Sequence, residues 1–298
     1  MTVIGLRCTG WNPQVQGLYQ QLQPCADRVV VLPDARTAGP CPAGLNVEDW
    51  APVLPAFLPI RAERLPANYG WRCGDLAFYT LQRHLEQLGV QPSFFWLVEP
   101  DVAFLMDPFA FFAPFQNSDT DFLAQGIRPS DESSMWHASM LPYGPVMRCQ
   151  FPLVRLSRRA LALCLLRRRQ QLADSVEPDK DCPNDEALVC STVFNAGMSV
   201  ATLEQTHPGC FRYFSTTAAY PDTPTFRQHA RGQVVHSLRD WPDFEKKHFL
   251  WKAKYVEPTQ WPEYFSRRLK ACQPWLSPAE YNQLHALLLA RGYLPNTA

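Results

Sequence analysis

The chain has 298 residues, of which 46% are hydrophobic and 12% aromatic, a globular composition with enough apolar residues for one large domain or two small ones. Lys plus Arg and Asp plus Glu both number 28, so the formal net charge is zero. This balance excludes attraction of a polyanion by the overall field of the chain, and a nucleic-acid partner would need a local basic patch.

The first residues, MTVIGLRCTGWN, lack the basic segment and long apolar segment of a secretion signal. No run approaches the roughly 18 apolar residues of a membrane span. The ten cysteines include no C-x-x-C pair and no zinc-like cluster. We therefore expect a soluble, cytoplasmic protein with reduced thiols, and the sequence points to no protein partner.

Two short β-branched runs at 2–9 and 28–32 predict buried strands. Between them, Asn12 and Pro13 have the residue types of a helix N-cap and first turn, which predicts a helix over 12–22. Strand, helix and strand at this spacing indicate a parallel unit. Residues 33–68, rich in Pro, Gly and Ala, are predicted to be irregular.

The rest of the chain continues the alternation. Helices are predicted at 73–88, 157–172, 185–193 and 278–290, and strands from Ser93, at 121–128 and at 233–237. We expect an α/β fold with a mostly parallel central sheet flanked by helices, followed by a Pro- and Trp-rich C-terminal extension.

The segment SFFWLVEPDVAFL, from Ser93, places Glu99 and Asp101 at the end of an apolar run. In a strand these carboxylates would share a face and repel each other, so either the strand stops at Pro100 or a positive group lies between them. A divalent cation could be this positive group, because ligands bind at the carboxyl edge of parallel sheets and Mg²⁺ or Mn²⁺ prefers oxygen ligands. The alternative is a solvated turn with both carboxylates exposed.

The order of elements, with EPD followed by VAFLMDPF, resembles the GT-A fold glycosyltransferases over roughly residues 2–240. That family has a D-x-D motif after a hydrophobic strand. Glu99 replaces its first Asp, so the resemblance implies Asp101 as the more direct metal ligand, with Glu99 facing the metal, the sugar or the ribose. It also implies Mn²⁺ or Mg²⁺, a nucleoside-diphosphate sugar as donor, and a glycan, a lipid-linked glycan or a nucleic-acid base as acceptor.

Two later segments fit the same resemblance. PNDEALV resembles the acidic segment of these enzymes and implies Asp185 and Glu186 as catalytic residues; the alternative is favourable charge at a helix start. VVHSLRDW resembles the late histidine that completes the metal site in several branches, which implies His236 as a ligand. The alternative for His236 is a partly buried core histidine.

The resemblance also implies a nucleotide site at the ends of the first strands. Its candidate residues are Thr9, Gly10, Trp11, Asp34 and Asp75. Asp75 could equally be a helix cap. Arg155 and Arg158 are candidates for the diphosphate, because a guanidinium can neutralise leaving-group charge. The arginines at 155–169 otherwise indicate a solvated face, or a seat for an acidic acceptor, a lipid surface or DNA phosphates.

The leading interpretation is a metal-dependent glycosyltransferase. Its catalytic domain would span 1–250, with a nucleotide-binding half at about 1–105 and an acceptor half at about 106–250, and a helical extension would occupy 251–298. One alternative is a catalytically silent nucleotide- or glycan-binding protein of the same fold. Another is a sugar-nucleotide pyrophosphorylase, although GLRCTGWNP lacks the glycine-rich loop and lysine of that class.

Overall fold

The structure, a computed structural model, describes residues 1–34, 39–49, 65–66 and 68–295. Most of the segment predicted to be irregular lies outside these residues. The chain forms two compact units, Met1–Val102 with Pro108–Gly209, and Ala103–Asp107 with Cys210–Ala298. The boundary predicted at residue 250 therefore falls inside the second unit.

The first unit alternates strands and helices. Its strands are β1 (Val3–Cys8), β2 (Arg28–Pro33), β3 (Phe94–Val98), β5 (Phe122–Pro129), β6 (Met147–Ser157) and β7 (Val200–Thr202). Strand β4 (Val102–Phe104) begins at Val102, the last residue of the first segment of this unit, and its other two residues belong to the second unit. Its helices are α1 (Pro13–Leu22), α2 (Tyr69–Arg72), α3 (Leu76–Gln87), α4 (Pro108–Phe112), α5 (His137–Met140), α6 (Arg158–Asp174), α7 (Pro178–Asp181), α8 (Asp185–Asn195) and α9 (Leu203–Thr206).

The central sheet has six strands in the order β2-β1-β3-β6-β5-β7. The pairs β2-β1, β1-β3 and β5-β7 are parallel, and β6 alone is antiparallel to both of its neighbours. The predicted mixed α/β class with a mostly parallel central sheet is thus confirmed. The carboxyl ends of β2, β1 and β3 lie side by side at one edge of the sheet.

Helices cover both faces of this sheet, as the continuous burial of β1 requires. On one face, Val3, Leu32 and Leu97 pack in a core with α3, α6 and α8. On the other face, Trp96 makes edge contacts with Phe112 of α4 and its aromatic neighbours. The aromatic segment Pro108–Phe112, which follows the acidic pair, therefore forms a short helix that covers the second face.

Helix starts follow local capping chemistry. The Asn12 side chain accepts a hydrogen bond from the Val15 amide at 2.9 Å, and Pro13 fills the first helical position of α1. Ser157 caps α6 in the same way, accepting from the Ala160 amide. The helices predicted at these places are confirmed within one or two residues.

Asp121 joins three strands of the sheet immediately before β5. Its carboxylate accepts from the Ser157 hydroxyl at the end of β6, from the Ser199 amide and hydroxyl before β7, and from Arg159 through two nitrogens at 2.6 Å. Asp121 is buried, and the Arg159 guanidinium, followed by the serines, holds the pKa of this carboxyl well below its usual 3.8.

We expect Asp121→Asn to destabilise the protein at pH 7 by about 1.5–3 kcal/mol, the value of hydrogen bonds to a charged group. Because the pKa of Asp121 is lower in the folded state, this stabilisation is complete above 3.8 and disappears as the pH falls through the folded value. Urea unfolding of the wild type and the variant at pH 7 and pH 3 should show a smaller difference at pH 3. A difference that grows on acidification would contradict the ion pair.

The second unit is built from short elements. It contains most of β4, then β8 (Tyr220–Pro221), α10 (Pro224–His229), β9 (Val234–His236), β10 (Leu238–Arg239), α11 (Trp241–Phe244), α12 (Trp261–Cys272) and α13 (Pro278–Ala290). Strand β4 pairs with β9, and β8 with β10. Phe244, Phe265 and Leu284 belong to a core that α12 and α13 enclose, so the predicted helical extension packs into this unit.

Within the part of the chain that the structure describes, no helix combines the length and the apolar character needed to cross a bilayer.

Candidate functional site

The acidic pair occupies a turn at the carboxyl end of β3. The strand ends at Val98, the Glu99 amide donates to the Pro152 carbonyl, and the Val102 amide donates back to the Glu99 carbonyl at 3.2 Å. Asp101 is buried, with 6% of its surface exposed. The expectation that the strand stops near Pro100 is confirmed, whereas the alternative of two solvated carboxylates does not hold for Asp101.

The half-buried Glu99 has the positive neighbour that the sequence predicted for the acidic pair, and this neighbour is a side chain of the protein. Leu6 of β1 pairs with Val98 of β3, so the next residues, Arg7 and Glu99, are neighbours at the carboxyl edge. Arg7 Nη1 donates to Glu99 Oε1 at 2.7 Å, and Nη2 donates to the Gly70 carbonyl at 2.5 Å. Arg7 is itself almost completely buried, which strengthens its attraction for Glu99.

Asp185 lies on the other side of the same guanidinium. Its Oδ2 is 3.9 Å from Arg7 Nη1 and accepts from the Gly74 amide at 2.9 Å. Burial raises the pKa of Asp185 well above its usual range; Arg7 opposes this shift, and the nearby carboxylates of Glu186 and Glu99 add to it. A buried carboxyl group with a raised pKa is a candidate for proton transfer.

Gly74 makes this close arrangement possible. A Cβ atom at this position would collide with the Arg7 guanidinium and with Asp185 Oδ2. A side chain here would therefore push the Arg7 and Asp185 groups apart and remove the amide contact. Gly74 belongs to the site because it has no side chain. Its backbone conformation does not require glycine, since its φ angle is not in the left-handed region.

The predicted nucleotide residues of the first two strands lie at the same edge of the sheet. Thr9, Gly10 and Trp11 directly follow β1, and Asp34 directly follows β2, with its amide donating to the Cys8 carbonyl. Thr9 is exposed, whereas Asp34 is buried. The parallel register thus brings these residues to the edge that carries Glu99, and their role in nucleotide binding remains a prediction.

Asp75 has a structural partner. Its two oxygens accept from Arg168 Nη2 at 2.6 Å and Nε at 2.9 Å, and it also accepts from the Tyr79 hydroxyl. The ion pair is fully buried. Arg168 Nη1 also donates to the Pro183 carbonyl, just before the Asn184 cap of α8. The pair therefore ties the Gly74 segment to the start of α8.

Arg155 and Arg158 lie away from Glu99. Strand β6 runs antiparallel to β3 and pairs Ser157 with Phe94, so its end lies at the amino edge of β3. Arg155 donates to the carbonyls of Phe115, Ser118 and Thr120, and Arg158 Nε donates to the Pro92 carbonyl. The solvated-face interpretation of the arginines at 155–169 is wrong for Arg155 and Arg168, which are buried.

The remaining predicted residues, Glu186 and His236, belong to the first and the second unit, respectively. Glu186, half-buried beside Asp185, accepts from the Asn184 amide side chain at 3.1 Å. His236, in the second unit, is buried, and its Nδ1 lies 2.7 Å from the Ser215 carbonyl. As a donor, Nδ1 leaves the lone pair of a neutral imidazole on Nε2, the arrangement usual for a histidine that binds a metal. Ser237, the next residue, has a φ of 65°, uncommon outside glycine.

Sequence reasoning missed Arg7, Gly74 and Arg168. Arg7 had a visible signal, since it is the one charged residue in the apolar run TVIGLRCT. A charge in a strand buried on both faces needs a partner, and the partner had to come from a neighbouring strand end. Arg168 had no such signal, because it stands in a run of three arginines that all look solvated.

The chain matches no model of a protein family and no curated protein. Among solved structures it is similar to the galactosyltransferase LgtC in complex with donor and acceptor sugar analogues (11% identity, TM-score 0.35, 79% of this chain and 85% of that one). An active-site mutant of LgtC gives 11% identity and a TM-score of 0.40 over 98% and 100% of the two chains. Mouse xyloside xylosyltransferase 1 gives 9% and 0.39 over 83% and 93%.

Proposed function

We propose that the chain is a metal-dependent glycosyltransferase that moves a sugar from a nucleoside-diphosphate sugar to an acceptor hydroxyl. The observation that carries the proposal is the carboxyl edge of β1 and β3, where Glu99, Arg7 and the buried carboxyl of Asp185 adjoin the turn that carries Asp101. Open α/β sheets bind their ligands at this edge. The acceptor class is a glycan, a lipid-linked glycan or a modified nucleobase of a nucleic acid.

The metal would be Mn²⁺ or Mg²⁺, with Asp101 as its principal ligand and Glu99 and His236 as further ligands. Carboxylate oxygens are the ligands that a hard divalent cation prefers. His236 is proposed because of the sequence resemblance, and its Nδ1 is oriented by a backbone carbonyl. Glu99 is the weaker ligand, because Arg7 already engages its Oε1. When bound, the cation would neutralise charge on the departing diphosphate.

Asp185 would take the proton of the acceptor hydroxyl, or hold the sugar if the reaction retains configuration. The raised pKa of Asp185 and its contact with the Gly74 amide suit a carboxyl group that changes protonation during turnover. Arg7 acts on this carboxyl group as a fixed positive charge. It keeps the anionic form of Asp185 accessible despite the burial.

One observation favours a second candidate, a nucleotide-binding protein without turnover. Arg7 is an internal cation that already compensates Glu99. Because Arg7 compensates the charge of Glu99, the acidic pair attracts a metal cation less strongly. This candidate predicts nucleotide binding that does not respond to Mn²⁺.

A thermal-shift experiment tests the proposal. The protein is heated with UDP, GDP or TDP and the corresponding sugars, in Mn²⁺ or in EDTA. A ligand that binds only the folded state stabilises it by RT ln(1 + [L]/Kd), about 2.7 kcal/mol at a hundredfold excess over Kd. We expect at least one nucleotide to raise the melting temperature more in Mn²⁺ than in EDTA. Equal shifts would favour the second candidate, and no shift would contradict both.

A further inference from the structure

Two cysteines that are far apart in the sequence meet in the interior of the first unit. Cys73 follows α2 directly and Cys182 follows α7 directly, 109 residues later. Their Sγ atoms are 3.6 Å apart, and neither residue is exposed to solvent. This distance is a hydrogen-bonding contact between two sulfurs, so only a small movement separates it from a covalent bond.

A buried guanidinium contacts one of the two sulfurs. Arg168 Nη1 donates to Cys182 Sγ at 3.3 Å, while its Nε and Nη2 hold Asp75. The hydrogen bond from Cys73, together with Arg168, lowers the pKa of Cys182 from 9.0 to about 7, although burial opposes this. Burial raises the pKa of Cys73 well above its usual range. Cys182 is therefore the sulfur of the pair that forms a thiolate more readily, whereas Cys73 stays a thiol.

A thiolate beside a thiol is the arrangement that reacts with peroxides, because the thiolate is the nucleophile and the thiol can resolve the product. We propose that Cys73 and Cys182 are a redox-modification site and form a reversible disulfide on exposure to hydrogen peroxide or a small organic peroxide. Access to the buried sulfurs is by local opening of the fold, which a small peroxide can use more readily than a bulky reagent.

The reaction proceeds in two steps. The Cys182 thiolate attacks one oxygen of hydrogen peroxide, the O–O bond breaks, and a sulfenic acid forms at Cys182 with release of hydroxide. The Cys73 sulfur then attacks the Cys182 sulfur, displacing the hydroxyl group, and the Cys73 proton ends in water. In total the two cysteines lose two electrons, and the peroxide is reduced to one water and one hydroxide, which takes a proton from the solvent to become a second water. A dithiol reductant reverses the change.

The disulfide would join the two segments that hold Asp185. Cys73 precedes Gly74, whose amide donates to Asp185 Oδ2, and Cys182 lies three residues before Asp185. A bond between the two sulfurs would draw these segments together and change the space around the carboxyl group. An effect on turnover rests on the proposed function, whereas formation of the disulfide does not.

A second cysteine pair in the same unit serves as a matched control. Cys149 and Cys190 are also buried and close enough to affect each other, and Cys149 Sγ donates to the Glu186 carbonyl at 3.5 Å. The charged groups acting on Cys149 are the carboxylates Glu186 and Asp185, and burial together with Cys190 and these anions raises its pKa well above the usual range. This pair has the proximity but not the cation, so it should remain as two thiols under the same treatment.

The test uses the full chain with no nucleotide. Folded protein is treated with a small excess of hydrogen peroxide, quenched with an alkylating reagent after unfolding, and mapped as non-reduced peptides. We expect a peptide linked through Cys73 and Cys182 that has lost two hydrogen atoms and separates on addition of dithiothreitol. Cys149 and Cys190 should be recovered alkylated. Oxidised protein should also unfold at a higher urea concentration than reduced protein, because the bond closes a long loop.

Two variants sharpen the result. In Cys73→Ser the resolving thiol is absent, so peroxide should leave a sulfenic acid at Cys182 that dimedone traps. In Cys182→Ser neither product should form at residue 73. The proposal is overturned if folded wild-type protein gives no linked peptide, or if Cys149 and Cys190 become linked as readily as Cys73 and Cys182. The wild-type mapping decides this even if a variant does not fold.

Discussion

Arg168→Met is expected to destabilise the protein by about 3–5 kcal/mol, the cost of removing one partner from a buried ion pair. The variant keeps most of the side-chain volume but leaves the Asp75 carboxylate buried, with the Tyr79 hydroxyl as its remaining side-chain donor among the residues that the structure describes. The Pro183 carbonyl loses its Arg168 donor as well. Urea unfolding followed by circular dichroism measures the loss as a lower midpoint with an unchanged slope.

Arg169→Met is the matched control, because it makes the same change one residue later on α6 at a partly exposed position. Its effect should stay within about 0.5 kcal/mol. The double variant Asp75→Leu with Arg168→Met should recover part of the lost stability, since it removes both buried charges. If Arg168→Met and Arg169→Met cost the same, the buried pair contributes little to the fold.

The same pair shows how far local sequence signals reach. Helix α13 begins behind Ser277, which forms a capping box with Glu280, and both the cap and the bounds were predictable from adjacent residues. Arg168 stands on a helix that was also predicted, yet its burial depends on Asp75, 93 residues earlier. The secondary structure is determined largely by residues adjacent in the sequence, whereas the buried ion pair depends on a residue that is distant in the sequence.

Strand β6, with 11 residues, was not predicted from sequence patterns. Its sequence, MRCQFPLVRLS, contains two arginines and a proline, which interrupt both the alternating and the continuous apolar patterns of strands. The structure resolves the conflict at Arg155, whose guanidinium donates to loop carbonyls and packs over the Phe94 ring. A strand can carry such a residue only when the fold supplies its partners.

The acidic pair was visible in the sequence because its members are nearly adjacent, but its electrostatic partner was not. Arg7 reaches Glu99 through the register of two strands separated by more than eighty residues, and Asp185 reaches Arg7 through the space that Gly74 leaves empty. The sequence therefore indicated which edge carries the chemistry. It could not indicate that the charge of Glu99 is already compensated by Arg7.

Because of the ion pair between Arg7 and Glu99, we expect different results from substituting the two acidic residues of EPD. If Asp101 binds the metal, Asp101→Asn removes the charge without changing the shape, and Mn²⁺ affinity should fall at least about tenfold, or about 1.4 kcal/mol. Nucleotide binding should then lose its dependence on Mn²⁺. Glu99→Gln should weaken Mn²⁺ binding less, because Arg7 holds Glu99 Oε1. The Glu99 variant should instead lose some stability through its weakened contact with Arg7.

Isothermal titration separates these outcomes, with Mn²⁺ alone and then UDP or GDP in its presence added to the wild type and each variant. Asp119→Asn is the control, since this carboxylate is exposed and the substitution removes the same charge. Asp185→Asn should bind metal and nucleotide normally and lose turnover, because its carboxyl group serves the acceptor. Unchanged Mn²⁺ binding in Asp101→Asn would show that EPD is not the metal site. A larger loss in Glu99→Gln than in Asp101→Asn would exchange the two roles and mean that Arg7 releases Glu99 when the metal binds.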